Sequence, residues 1–424
     1  MRLQLEFKGV LDMKVILVIG DGISDRPTRF LNGKTPLQVA EKPSMNLIAR
    51  QGICGVMDPI SPGIPPGSDT AHLALLGYDP VHTYTGRGAF EALGVGLEVR
   101  QNDVSFRCNF ATVNEDLLIL DRRAGRIKGT GDKLVQAING IKLEHFPEIN
   151  VIVKHSIEHR SALILRGPNL SRMVSDSDPS DTNYPIQKVR ALDNSSEASR
   201  TACIVNAVSK RFHEILTNHP INMERRANGL LPANAVIFRG AGTLPQVKPI
   251  TEIYGIKALI VAAGAMYRGV CKSVGLDVID VPGATGTFET DTVAKAKAAV
   301  ENLPRYDYIL IHVKGTDNAS HDGNTEQKVR MIEKIDALVK HLLDNVDLES
   351  VFITLTADHT TSLDLRKHVG DPVPLAIMGP GVRADSVEKY SEIDCAQGGL
   401  GRIKGIDLTP ILMDLAGNSK TFGA

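Results

Sequence analysis

Apolar, β-branched runs recur at residues 14–19, 258–261, 308–313 and 351–355, each hydrophobic at nearly every position. Runs without alternation mark strands buried on both faces, the pattern of a parallel sheet interior. Between them the period changes. Residues 292–302 are rich in Ala and Lys, and 325–343 repeats Val329, Ile332, Ile335 and Leu338 at helical spacing. The alternation predicts an α/β protein, a mostly parallel sheet with helices on both faces. The middle of the chain is different. Asp176 to Asn183 is a run of turn formers, and Asp193 to Ser196 is another just before a helical stretch, which predicts a second domain.

Open parallel sheets place their sites beyond the carboxyl ends of their strands. The first strand runs into Gly20, Asp21 and Gly22, and the strand at 308–313 leads to Asp317 and His321. The strand at 351–355 leads to Asp358 and His359, with His368 close behind. Between the first strand and its successors lies Pro65-Pro66-Gly67-Ser68-Asp69-Thr70-Ala71-His72.

Asp, His and a Ser oxygen together suit borderline divalent cations such as Mn, Zn or Co, whereas an all-oxygen set would suit Mg or Ca. Two ions are expected. Asp317 and His321, four residues apart, share one side of a helical turn, and His368 closes that first site. Asp21, Asp358 and His359 form the second, with Ser68 as its movable ligand. Cations roughly 3.5 to 4 Å apart clamp the attacking and leaving oxygens of an in-line displacement, as phosphoryl transfer requires. Ser68 is expected at the N-cap of a helix, where free amides bind phosphate. Coordination would activate its hydroxyl as a nucleophile, making phosphoserine the intermediate.

Simpler readings exist for each part. Gly20-Asp21-Gly22 opens like a dinucleotide fingerprint, but the third glycine is missing and Asp21 would repel a pyrophosphate. Taken singly, Ser68 is a helix cap, Asp317 with His321 an exposed helix pair, and Asp358-His359 turn chemistry. Their joint occurrence at strand ends favours the metal site. The other histidines, His72 and His159 among them, read as structural or surface groups, and His312 as packing within its strand.

At 424 residues the chain is long enough for two cores. A formal net charge of −1 argues against a nucleic-acid partner, and 4% aromatic residues without Trp leave little for base stacking or a lipid-interface belt. No stretch approaches the roughly 20 apolar residues of a membrane span, and the first residues lack a signal-peptide core. Cys54, Cys108, Cys203, Cys271 and Cys395 are scattered and odd in number, which argues against a disulfide framework. The expectation is a cytoplasmic protein acting on a small phosphorylated molecule, without a membrane or nucleic-acid partner. Assembly into a homo-oligomer is left open, as is the role of residues 1–12.

Several motifs carry a resemblance: Gly20-Asp21-Gly22, Gly67 to His72, Tyr84 to Gly88 with Glu91 to Gly94, and Asp121 to Ile127. Ala284 to Thr287, Asp317 with His321-Asp322-Gly323, and Asp358-His359 with Asp371 to Pro374 complete the set. Over nearly the whole length they resemble the archaeal-type 2,3-bisphosphoglycerate-independent phosphoglycerate mutases of the alkaline phosphatase superfamily. The resemblance implies an alkaline-phosphatase-like α/β domain over 1–110 and 245–424, split around a smaller α+β transferase-like domain over 111–244. It implies interconversion of 3-phosphoglycerate and 2-phosphoglycerate, a step of glycolysis and gluconeogenesis, through phosphoserine at Ser68. Two divalent ions would serve it, Mn foremost, with Mg, Co or Zn as alternatives, and no 2,3-bisphosphoglycerate. Asp317, His321 and His368 would hold one ion, and Asp21, Ser68, Asp358 and His359 the other. Arg122, Arg160 and Arg239 lie in segments like those of the family and would anchor phosphate and carboxylate. The segments Lys314 to His321 and Thr356 to Thr361 depart from the usual pattern around intact ligands. The runner-up is therefore a paralogous metal-dependent phosphomonoesterase or small-molecule phosphotransferase, similar to the homoserine-kinase-like relatives, using the same site.

Overall fold

The computed structural model describes residues 13–421 and 423; residues 1–12, whose role the sequence leaves open, lie outside the described residues. The strand Lys14–Gly20 lies inside an eight-stranded sheet, flanked in parallel by Tyr308–Val313 and Val351–Thr356. Val15, Ile16, Leu17 and Ile19 have no solvent exposure, as an unalternating strand requires. Ala258–Val261 and Asp277–Val278 extend the sheet in parallel beyond Tyr308–Val313. On the other side lie Val373–Met378, Ile53–Asp58 and Gly401–Lys404.

Of these strands, Val373–Met378 runs against both of its neighbours. A parallel return needs a long crossover, commonly a helix. Residues 357–372 instead fold into a ribbon of Thr360–Ser362 against Lys367–Val369, and the chain re-enters the sheet directly. The ribbon sets His368 opposite Thr361.

The two expected helices form as Thr292–Asn302 and Thr325–Asn345. Their first turns are closed by the side chains of Asp291 and Asn324, which accept from the amides of Ala294 and Gln327. The longer helix buries Met331, Ile332, Ile335, Leu338, Val339 and Leu342, one stripe at three- and four-residue spacing. Among the described residues no helix is long and apolar enough to cross a membrane.

The chain divides into two compact units. One runs through Tyr84 and resumes at Val247; the other is Thr85–Gln246. The boundary expected at residue 110 therefore falls at 84. The physical reason is the strand Val104–Val113, which hydrogen-bonds along its length to Arg160–Arg166 and Ala235–Gly242, so it cannot be parted from them. This second unit holds a five-stranded antiparallel sheet completed by Ile119–Asp121 and Asn150–His155. Phe106, Cys108, Phe110, Leu163 and Leu165 pack with Val135 and Ile138 of the helix Gly131–Ile138 and with Val205 and Phe212 of Ser196–Thr217. The alternate residues Ala162 and Ile164 point to the other face, where Ala89, Ala92 and Leu93 of the helix Arg87–Gly94 cover them.

Candidate functional site

Three strand ends of the first unit supply three carboxylates that have almost no exposure: Asp21, Asp317 and Asp358. Asp21 follows the strand Lys14–Gly20 directly, and Asp358 follows Val351–Thr356 by one residue. Asp317 and His321 both lie on the short helix Gly315–Asp322 that continues from Tyr308–Val313. Their four-residue spacing brings His321 Nε2 to 3.3 Å from Asp317 Oδ1. The ribbon returns His368, whose Nε2 lies 3.3 Å from the same oxygen. Each imidazole is fixed from behind, His321 Nδ1 against the Arg366 carbonyl and His368 Nδ1 against that of Pro66, both at 2.8 Å. This leaves both Nε2 atoms facing the carboxylate, the arrangement that metal-binding histidines adopt.

His359 joins this cluster to a second one. Its ring stacks on His368 with centroids 3.6 Å apart. Its Nε2 is 3.4 Å from Asp21 Oδ1, 3.3 Å from Asp358 Oδ2 and 3.0 Å from the Ser68 hydroxyl. Ser68 opens the helix Ser68–Leu75, but as its first helical residue; the N-cap is Gly67. The expected cap assignment is thus corrected by one position. Asp69 turns its carboxylate back toward the space beside Gly67, which suits a residue without a side chain.

The electrostatics of this site favour a cation. Asp21 Oδ1 and Asp358 Oδ2 are buried with no hydrogen-bond partner, a state that is costly in a protein interior. Burial pushes the Asp21 carboxyl up, but Lys314, His312 and the hydrogen bond from His312 outweigh it and hold Asp21 low. Asp317 is likewise held well below the usual range, with Lys314 overcoming burial. Lys314 Nζ sits 3.2 Å from Asp21 Oδ2 and 2.5 Å from Asp317 Oδ2. Asp358 lacks such a partner, and burial followed by repulsion from Asp21 drives its carboxyl well up. Burial keeps His359 neutral, down to about 3. Neutral imidazoles and converging carboxylate oxygens are the donors that divalent cations take, so the residues present fit such ions.

Four residues near this site carry more than their sequence reading assigned. His312 is buried as expected, yet its Nε2 lies 3.0 Å from Asp21 Oδ2, and the Tyr267 hydroxyl donates to that oxygen at 2.5 Å. His72 Nδ1 bonds the Ser68 carbonyl at 2.7 Å, fixing the first turn of the helix Ser68–Leu75. The fourth is Lys314. A polar residue within a fully buried strand, or just past its end, was the available signal for His312 and Lys314; nothing local marks Tyr267.

The second unit gathers arginines. Arg122 grips Asp178 through two bonds of 3.0 and 2.6 Å, and Arg239 Nη1 lies 3.5 Å from the same carboxylate. Arg160 is exposed at the start of its strand. Arg107 was missed by the sequence reading. Burial, then Arg87, lower its guanidinium to about 10, and Arg160 and Arg239 add to the repulsion. Its buried Nε has no hydrogen-bond partner. Alternation was the signal: Ser105, Arg107 and Asn109 share the face of the strand Val104–Val113 opposite Phe106 and Cys108. Burial also lowers His159 to about 4, aided by Arg160 and Arg123.

Residues 49–222 match the family model described as 2,3-bisphosphoglycerate-independent phosphoglycerate mutase. Over 412 residues the chain is 50% identical to the Methanococcus aeolicus protein of that name, covering 97% of this chain and 100% of the relative. A solved Pyrococcus horikoshii structure aligns with a TM-score of 0.85 at 41% identity, over 98% of this chain and 100% of that one. The cofactor-independent phosphoglycerate mutase from Thermoplasma acidophilum aligns with a TM-score of 0.70 at 38% identity, over 95% and 100%. Identity of this order across both units, with the carboxylates and imidazoles gathered at the strand ends, leads to one statement: the chain belongs to the 2,3-bisphosphoglycerate-independent phosphoglycerate mutase family.

Proposed function

We propose that this protein interconverts 3-phosphoglycerate and 2-phosphoglycerate, with Ser68 as the group that carries phosphorus between the two hydroxyls. The observation behind this reading is the position of the Ser68 hydroxyl, 3.0 Å from His359 Nε2 where the two ligand clusters meet, at the head of a helix. Amides of that first turn face an incoming phosphate. In the forward direction the Ser68 Oγ–P bond forms as the bond from phosphorus to the substrate's O3 breaks, and the proton lost from Oγ is matched by the one gained at O3. The O2 hydroxyl then takes the phosphoryl group as the Oγ–P bond breaks, and the proton it releases restores the Ser68 hydroxyl.

Asp317, His321 and His368 would hold one divalent ion, and Asp21, Ser68, Asp358 and His359 the other, with Mn the first choice and Mg, Co or Zn as alternatives. Bound there, such ions would lower the pKa of the serine hydroxyl and offset charge on the transferring group. Arg122, Arg160 and Arg239 are the proposed anchors for phosphate and carboxylate, and Arg107 joins them because its buried Nε makes no hydrogen bond, its one carboxylate neighbour there being Glu91 at 3.7 Å, while Arg87, Arg160 and Arg239 crowd it with like charge. Five free cysteines, four of them buried, agree with a cytoplasmic location.

The test is incubation with 3-phosphoglycerate and Mn, following 2-phosphoglycerate and free phosphate together. Isomerisation that Ser68→Ala abolishes is the expected result. Release of phosphate without isomerisation would reject the mutase reading in favour of a phosphomonoesterase.

A further inference from the structure

The Thr361 hydroxyl stands between the two ligand clusters. It donates to Asp317 Oδ1 at 2.8 Å, and on its other side His359 Nδ1 lies 2.9 Å away. A hydroxyl has one proton to give. Asp317 is a carboxylate ion-paired with the Lys314 ammonium through Oδ2, so its Oδ1 accepts from Thr361. The Thr361 proton is therefore committed to Asp317, and the Thr361 oxygen has only lone pairs to offer His359. His359 must then carry its proton on Nδ1. Its Nε2 is left as a lone pair facing the Ser68 hydroxyl and the unpartnered oxygens of Asp21 and Asp358.

Thr361 can enforce this because its own position is fixed. Its amide donates to the Ser24 carbonyl at 3.2 Å, its carbonyl accepts from the buried Lys328 ammonium at 2.9 Å, and its ribbon partner is His368. The same Lys328 also binds Asp25 Oδ2 at 2.8 Å and the Ser24 carbonyl at 3.1 Å. The ribbon is thereby tied to the segment just after the first strand.

From this geometry we propose that Thr361 is a positioning residue that sets the tautomer of His359 and couples it to Asp317, so that both ligand clusters are oriented by one hydroxyl. The proposal rests on the two-cluster reading of the site, but its first readout does not depend on turnover. A hydrogen-bond partner of this kind commonly contributes about 10- to 100-fold to metal affinity or activity when removed.

The decisive measurement is two-bond ¹H–¹⁵N correlation on the full-length, metal-free protein with ¹⁵N-labelled histidine, His359 being assigned by comparison with His359→Gln. The expected pattern is Nδ1–H in the wild type and in Thr361→Ser, and loss of that preference in Thr361→Val. Mn affinity, measured by calorimetry, should fall about 10- to 100-fold in Thr361→Val and recover in Thr361→Ser. With 3-phosphoglycerate, kcat should drop by a similar factor while KM holds. An Nε2–H signal in the wild type overturns the proposal even if the valine variant fails to fold. Unchanged tautomer and Mn affinity in a folded valine variant also overturn it. If the wild type lacks mutase activity but shows these histidine and Mn results, the proposed function fails and the role of Thr361 stands.

Discussion

The hydroxyl oxygen of Thr361 occupies the space that a Cβ at Gly22 would fill. Gly22 also has φ of 59°, in the left-handed region, and the same added carbon would come within 3.1 Å of the Asp317 Cβ. The glycine after Asp21 is therefore required twice, by its own backbone and by the side chain that bridges the clusters. Gly22→Ala should destabilise the metal-free protein by about 2 kcal/mol, from strain and crowding together. Combining it with Thr361→Ala, which vacates the space, should cost less than the sum of the single changes. Urea unfolding of the four proteins in this cycle provides the check, and strict additivity would contradict the shared-space account.

Among the described ion pairs Lys314 is the only ammonium within 4 Å of any of the three clustered carboxylates, and it reaches two of them, Asp21 and Asp317. Lys314→Met leaves Asp21 and Asp317 without it and should lower the stability of the metal-free protein by about 3 kcal/mol. Mn should then restore more stability to the variant than to the wild type, since a bound cation replaces the missing charge. Melting temperatures with and without Mn test this; equal metal-induced shifts would count against it.

The acid side of the stability profile should carry the signature of His159. Its folded pKa is depressed to about 4 from 6.5, chiefly by burial. Between those values the unfolded chain binds a proton that the folded chain does not, so stability falls as pH drops through this window and levels off below it. The contribution reaches about 1.4 kcal/mol per pH unit. His159→Gln should flatten that part of the curve. Urea unfolding of both proteins across the window measures it, and parallel curves would remove His159 as a cause.

Arg160 is exposed, so its replacement should leave the fold alone. If it anchors a charged group of the substrate, Arg160→Ala should raise KM for 3-phosphoglycerate by roughly 10-fold or more, the worth of one charge-assisted hydrogen bond. Steady-state kinetics beside a melting curve separate the two effects. An unchanged KM would remove Arg160 from the proposed anchors.

Much of this protein is legible from local pattern. Unalternating strands such as 14–19 and 351–355 must be buried on both faces, and a parallel sheet fixes where side chains at their carboxyl ends will gather. Asp21, Asp317, Asp358 and His359 follow from that rule because each lies within a few residues of a strand end, and His321 follows from its four-residue spacing from Asp317. Other features depend on contacts between distant segments, which no local period encodes. The first unit ends at Tyr84 because Val104–Val113 finds its partners far along the chain. Tyr267 reaches Asp21 from a helix 246 positions away. Thr361 looks like an ordinary strand residue until the fold sets its hydroxyl between His359 and Asp317. The sequence by itself determined the elements and the kind of chemistry, since backbone periodicity and donor type are local properties. Only the tertiary structure decided which hydrogen-bond partners hold each donor in place, because a proton's position depends on every group within reach of it.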